Sequence, residues 1–178
     1  MSFHKRIDNQ VGSRVGQRAS VPARSGAEWL VGVGFRCWLA GYDTGDIACW
    51  ENGWNEYNRL LGPSRAKRAV TELACWVRAV RSSASRKIEY YPFGCSGFCP
   101  DECMAISLIA ASQHHRCPAM QACALALTGS DVVEPVIDAA NAFADVLQEA
   151  DQRLSPEAVA ALMATGRKGG GNSLTQRG

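Results

Sequence analysis

No apolar run of the roughly eighteen to twenty residues that a membrane span requires occurs in this chain. The longest candidate, Met104 to Leu127, is interrupted by Gln113, His114, His115 and Arg116. The N-terminus lacks the apolar core of a secretory signal peptide. Also missing are a Walker motif, a dinucleotide fingerprint, a Gly-x-Ser-x-Gly elbow and a His-Glu-x-x-His pair. Charged residues are slightly few at 20%, and the net charge of +2 is far below that of a dedicated DNA binder. Strand signals are scarce as well. These absences argue against a membrane protein and against the commonest nucleotide-dependent and hydrolytic enzymes.

Cysteine is abundant, with eight in 178 residues. Without a secretory signal, that count predicts a reducing, cytoplasmic setting in which thiols stay free or hold metal. The length suits one domain with a real core and is too short for two comfortable ones.

Periodicity predicts helices. The first spans about Ala27 to Ala40, with Leu30, Val33, Cys37 and Trp38 on one side. The turn at 41–46 supplies a cap at Thr44. Ile47, Trp50, Trp54, Tyr57 and Leu61 then follow at alternating spacings of three and four. Ser64 is the expected cap of a third helix, which carries Ala66, Val70, Leu73, Val77 and Val80 on its apolar face. Residues 86–94 have strand-like content, but Pro92 limits them to a short extended piece. Pro100, Pro118 and Pro156 each stand at a first helical position, after Cys99, Cys117 and Ser155. A further helix opens at Ser130 or Asp131, with Glu134 as capping-box partner. It buries Val133, Val136 or Ile137, Ala140, Phe143 or Ala144, and Leu147. The segment 100–113 is apolar nearly all round and belongs at the centre of the fold.

The predicted fold is all-α: a single compact bundle of about six or seven helices with flexible termini. A basic arm occupies residues 1–25, with Lys5, Arg6, Arg14, Arg18 and Arg24 against Asp8. The helical domain covers 26–164, and a flexible Gly-rich tail covers 165–178. Charge is uneven within the domain. Residues 63–89 carry Arg65, Lys67, Arg68, Arg78, Arg81, Arg86 and Lys87 against Glu72 and Glu89. Residues 131–157 carry seven acids against Arg153. The two segments either face each other or give the surface two poles.

Three groups of residues suggest chemistry. Cys95, Cys99 and Cys103 are spaced C-x3-C-x3-C, with the first two in a loop and the third in a first helical turn. Such a group can hold zinc or an iron–sulfur cluster, with Cys37, Cys49 or Cys75 as further ligands. The helix N-terminus would lower a nearby thiol pKa. The competing reading is core packing, since free cysteine is among the most buried residue types. His114, His115, Cys117 and Cys123 form a second group. A straight helix would place His114 about 16 Å from Cys103, so the histidines are better read as C-terminal caps.

The third group is a binding surface made of Trp50, Trp54, Arg65, Arg68, Arg78 and Arg81. Aromatic and arginine side chains are the usual anchors of protein interfaces. The basic helix 64–82 could alternatively contact nucleic acid phosphates. The Gly-x-x-x-Gly and Gly-Trp elements of residues 41–57 resemble those of ribosome-modulation-type small proteins. The chain lacks the strongly basic composition of those proteins, and no residue role is taken from the likeness.

The expected function is macromolecular binding by a non-enzymatic cytoplasmic protein in a regulatory or adaptor role. Its partner is another protein, with nucleic acid as the alternative and no membrane. A metal- or thiol-dependent protein built on Cys95, Cys99 and Cys103 is the competing class.

Overall fold

A computed structural model describes residues 26–156. Among these residues there are six helices and no strand: α1 (Ala27–Thr44), α2 (Ile47–Leu61), α3 (Pro63–Ser83), α4 (Pro100–Gln113), α5 (Cys117–Thr128) and α6 (Glu134–Glu149). The expected arm, tail and the body of the helix opened by Pro156 lie outside the described residues. No described helix is long and apolar enough to cross a membrane.

The all-α expectation is correct, and α4 has the predicted bounds. Pro100 fits the first helical position because its missing N–H would have no partner there. Two helices are buried nearly all round. One is α4, as its composition implies; the other is α1, where a one-sided helix was expected. Trp29, Leu30, Val31, Val33, Phe35 and Leu39 of α1 are all buried. They can be, because α1 packs against α2, α3 and α4, while α4 packs against α1, α5 and α6. Contact between α3 and α6 closes the bundle. At that junction the Trp76 ring stacks on Phe143 at 5.5 Å and tilts against Phe35 at 5.4 Å. Rings at such separations add to the large apolar area they bury.

The α1–α2 hairpin is sealed by reciprocal insertion. Trp50 of α2 lies over Gly41, and Trp38 of α1 lies over Gly53; a Cβ at either glycine would sit about 2.5 Å from the indole. Tyr57 is fully buried and donates from its hydroxyl to the Leu30 carbonyl at 3.1 Å. Gly41, Gly53 and Trp50 of this stretch thus serve helix packing.

Several expected caps move by a residue or more. Thr44 ends α1, donating to the Ala40 carbonyl, and Asp46 caps α2 by accepting from the Ala48 amide at 3.0 Å. Gly62, with φ of 77°, takes the turn before α3, so Pro63 comes first and Ser64 is already helical. α6 begins at Glu134, later than expected, because the Ser130 hydroxyl is used in the turn, accepting from the Val132 amide. Residues 86–93 form no strand: 87–92 have no regular secondary structure, and a turn begins at Phe93. Along them Ile88 is buried, Glu89 exposed, Tyr90 half-buried and Tyr91 exposed, the alternation of a strand without a partner strand.

Candidate functional site

The segment between α3 and α4 is held by two ion pairs, both ending on the first turn of α4. The first pair is deep. Arg36, in the middle of α1, is 1% exposed and Glu102 is 0% exposed. The guanidinium grips the carboxylate through two bonds, Nε to Oε1 at 2.7 Å and Nη2 to Oε2 at 3.1 Å. Its remaining donors reach the carbonyls of Pro92 at 3.3 Å, Cys95 at 2.9 Å and Gly97 at 2.6 Å. The Phe98 ring covers the guanidinium at 5.2 Å and Trp29 flanks it at 6.0 Å. Phe98 fits there because Gly32 of α1 leaves room: a Cβ at that position would stand 2.2 Å from the ring.

Glu102 is used from both sides. Besides Arg36, it accepts from the amides of Cys99 at 2.7 Å and Tyr91 at 3.2 Å. A buried charge is tolerable only with such complete pairing and hydrogen bonding.

The second pair is shallower. Arg86 donates to both Asp101 oxygens at 2.6 and 2.9 Å, and to the carbonyls of Lys87 and Ala126. Asp101 also accepts from the Glu89 amide at 2.8 Å. Consecutive acids of one helical turn thus hold opposite ends of the segment: Asp101 at 86–89, Glu102 at 91–99.

Between these anchors the chain presents Tyr91 and Phe93, 43% and 39% exposed. A cleft of about 310 Å³ runs along the segment, lined by Lys87, Ile88, Glu89, Tyr90, Tyr91 and Cys99.

The cysteines of the C-x3-C-x3-C pattern fall where the sequence put them in the chain. Cys95 lies in the loop, Cys99 precedes α4 and Cys103 sits in its first turns. Among the described residues, no group of three or more His, Cys, Asp or Glu side chains is placed to hold a metal ion. The Cys99 thiol donates to the Glu89 carbonyl at 3.2 Å. The expected depression of thiol pKa at the helix N-terminus is overturned. Burial pushes Cys99 upward and Cys103 up to about 11, with the Glu102 charge adding to the rise in both. Cys99 is thus engaged as a thiol donor, and Cys103 is half-buried on α4. Of the proposed further ligands, Cys37 is buried and pushed up to about 12 by desolvation, Cys49 is half-buried and Cys75 exposed.

His114 occupies the C-cap of α4, with Nε2 3.0 Å from the Leu154 carbonyl, and His115 leaves in the left-handed region. α4 is unbroken between Cys103 and His114, so the two Cys/His groups lie at opposite ends of it.

The basic and acidic segments do face each other. Arg68 pairs with Glu149, and Arg65 approaches Asp151 at 3.8 Å. Arg81 pairs with Asp43 at 3.3 Å and lies over the Tyr42 ring, while Arg78 rests on the Cys75 sulfur. Trp50 is half-buried against Tyr42, and Trp54 is 37% exposed. The predicted surface residues are therefore spread over the faces of α2 and α3, with much of their charge neutralised internally.

Sequence reasoning missed Arg36. The available signal was a lone arginine within the apolar run 27–41, a place where only a paired charge can be buried.

Comparison with protein-family models, curated proteins and solved structures returns no match.

Proposed function

We propose that this chain is a non-enzymatic binding protein whose recognition element is the pinned segment 87–94, which presents Tyr91 and Phe93 to another protein. One observation carries the reading: two large aromatic side chains are exposed on backbone fixed at both ends by carboxylate anchors. Aromatic side chains supply large contact area at low entropic cost, and they are enriched at interface centres. Prior anchoring of the backbone removes much of the ordering cost of association.

Two further features favour a protein partner over the alternatives. The arginines of α3 are largely answered by Asp43, Glu149 and Asp151, which weakens any phosphate-binding stripe. The thiol lining the cleft is neutral and engaged with a carbonyl, the reverse of an activated nucleophile.

The test is the double variant Tyr91→Ala/Phe93→Ala. Both side chains are partly exposed, so far-UV circular dichroism and the melting temperature should hardly change. Affinity for a partner recovered from the source cells, and reconstituted from purified components, should fall by more than about tenfold, the loss of one modest hot spot. If no partner loses affinity, the proposal is wrong. A binding isotherm with DNA or RNA that weakens steeply with salt would replace it with the nucleic-acid reading.

A further inference from the structure

Most of the acidic stretch that follows α5 is left without an ion pair among the described residues. Glu149 and Asp151, at its far end, are answered by Arg68 and Arg65 of α3. Asp131, Glu134 and Asp138 make no ion pair among the described residues. These three acids line a trough between α5 and the beginning of α6. It consists of two adjoining clefts of about 280 and 440 Å³ that share Gln121, Val133 and Glu134. Its floor is apolar, built from Met120, Leu125, Val133 and Ile137, and no Lys or Arg lines it. Leu125 is 50% exposed, and Val132, between Asp131 and Val133 in the chain, 57%. Exposed apolar surface grouped in this way marks a contact site, and its acidic setting selects a cationic, apolar occupant.

We propose that residues 1–25 of the same chain dock in this trough. They carry Lys5, Arg6, Arg14, Arg18 and Arg24 against the single acid Asp8, interleaved with Phe3, Ile7, Val11 and Val15. Both halves of the required chemistry are present, apolar side chains for the floor and cations for Asp131, Glu134 and Asp138. Reach is no obstacle. The Ser155 amide donates to Glu28 at 3.0 Å, which sets the start of α1 near the chain's exit from α6. From there the trough lies back along α6, a helix of 16 residues and thus about 24 Å long. Twenty-five residues of extended chain reach about 80 Å. The trough shares no residue with segment 87–94, so loss of either binding activity leaves the other in place.

The experiment uses the full-length chain and a zero-length carbodiimide reagent, which joins an amine only to a carboxylate in contact with it. Mass spectrometry should find Lys5 joined to Asp131, Glu134 or Asp138. Those products should disappear in salt high enough to shrink the screening length to about 4 Å. A mixture of isotopically light and heavy chains identifies the donor: products within one chain support docking, and products between chains overturn it in favour of a second copy. Absence of these cross-links, or cross-links confined to other acids, overturns it too. Leu125→Gln tests the apolar floor without changing the charge of the trough, since a half-exposed side chain tolerates the change without loss of helix content. In that variant trypsin should cleave after Arg14 and Arg18 about tenfold faster, the ratio set by losing a contact of about 1.4 kcal/mol. An unchanged cleavage rate overturns the proposal.

Discussion

Replacing Glu102 by Gln leaves the Arg36 guanidinium buried beneath Phe98 with its countercharge gone. Nothing else near it compensates, because its other partners are the neutral carbonyls of Pro92, Cys95 and Gly97. Uncompensated burial of one charge costs about 3–5 kcal/mol. Loss of one good acceptor for the Tyr91 and Cys99 amides falls within the same figure. For a domain of this size the melting temperature should drop by roughly 10 °C.

The decisive comparison is a closed cycle built from Arg36→Met and Glu102→Leu. Either single variant should lose several kcal/mol in chemical denaturation. The double variant Arg36→Met/Glu102→Leu should be clearly less unstable than the sum of the two singles, since it leaves no uncompensated charge, although the Tyr91 and Cys99 amides still lose their acceptor. Hydrogen exchange adds a local readout. In Glu102→Gln the amides of Tyr91 and Cys99 should exchange far faster, while those in the middle of α6 follow global stability alone. A loss below about 1 kcal/mol, or a double variant as unstable as the sum of the singles, would refute the assignment of this pair as the anchor.

Three more outcomes are expected. Gly32→Ala places a methyl group where the Phe98 ring lies, so thermal denaturation should show a loss of about 1–3 kcal/mol; an unchanged melting temperature would mean that the ring has no fixed seat. Native thiol titration should modify the exposed Cys75 and Cys117 first, while the buried Cys37 and Cys123 react only on unfolding. Stability should also fall at high pH. Burial holds the thiol protons of Cys37, Cys103 and Cys123 to about 12, 11 and 11, against an ordinary 9.0. Their contribution is therefore complete below pH 9 and is lost as pH rises through 11 to 12. Denaturation curves should show the decline, and it should be shallower in Cys37→Ala; a slope identical in that variant would remove Cys37 from the explanation.

The helices were legible where side-chain period and local chemistry agree. Pro100 followed by two acids marks the start of α4, and the nearly uniform apolar content of that helix marks its burial. What sequence could not supply is pairing over distance. Arg36 and Glu102 are 66 residues apart, and Arg86 and Asp101 are 15 apart. Read locally, Asp101 and Glu102 serve only the helix dipole, and Arg36 interrupts an apolar face. Cap positions slipped for a related reason: Ser, Thr, Asp and Gly near one turn compete for the same amides, and tertiary contacts decide between them. The cysteine pattern was visible, but its electrostatics were not. Desolvation of Cys103 depends on what packs over it, and in the folded chain it pushes the thiol up to about 11.

The placement of Asp101 and Glu102 on a single helical turn has a dynamic consequence. A connector of this kind would ordinarily fray by itself, one residue after another. Here the amides of Glu89, Tyr91 and Cys99 all depend on the same turn of α4. That turn is tied in its turn to the centre of α1. Local breathing of the connector is thereby made to cost the opening of two buried helices. The Tyr91–Phe93 tip should stay ordered right up to the temperature at which the whole domain melts, and vanish with it in one cooperative step.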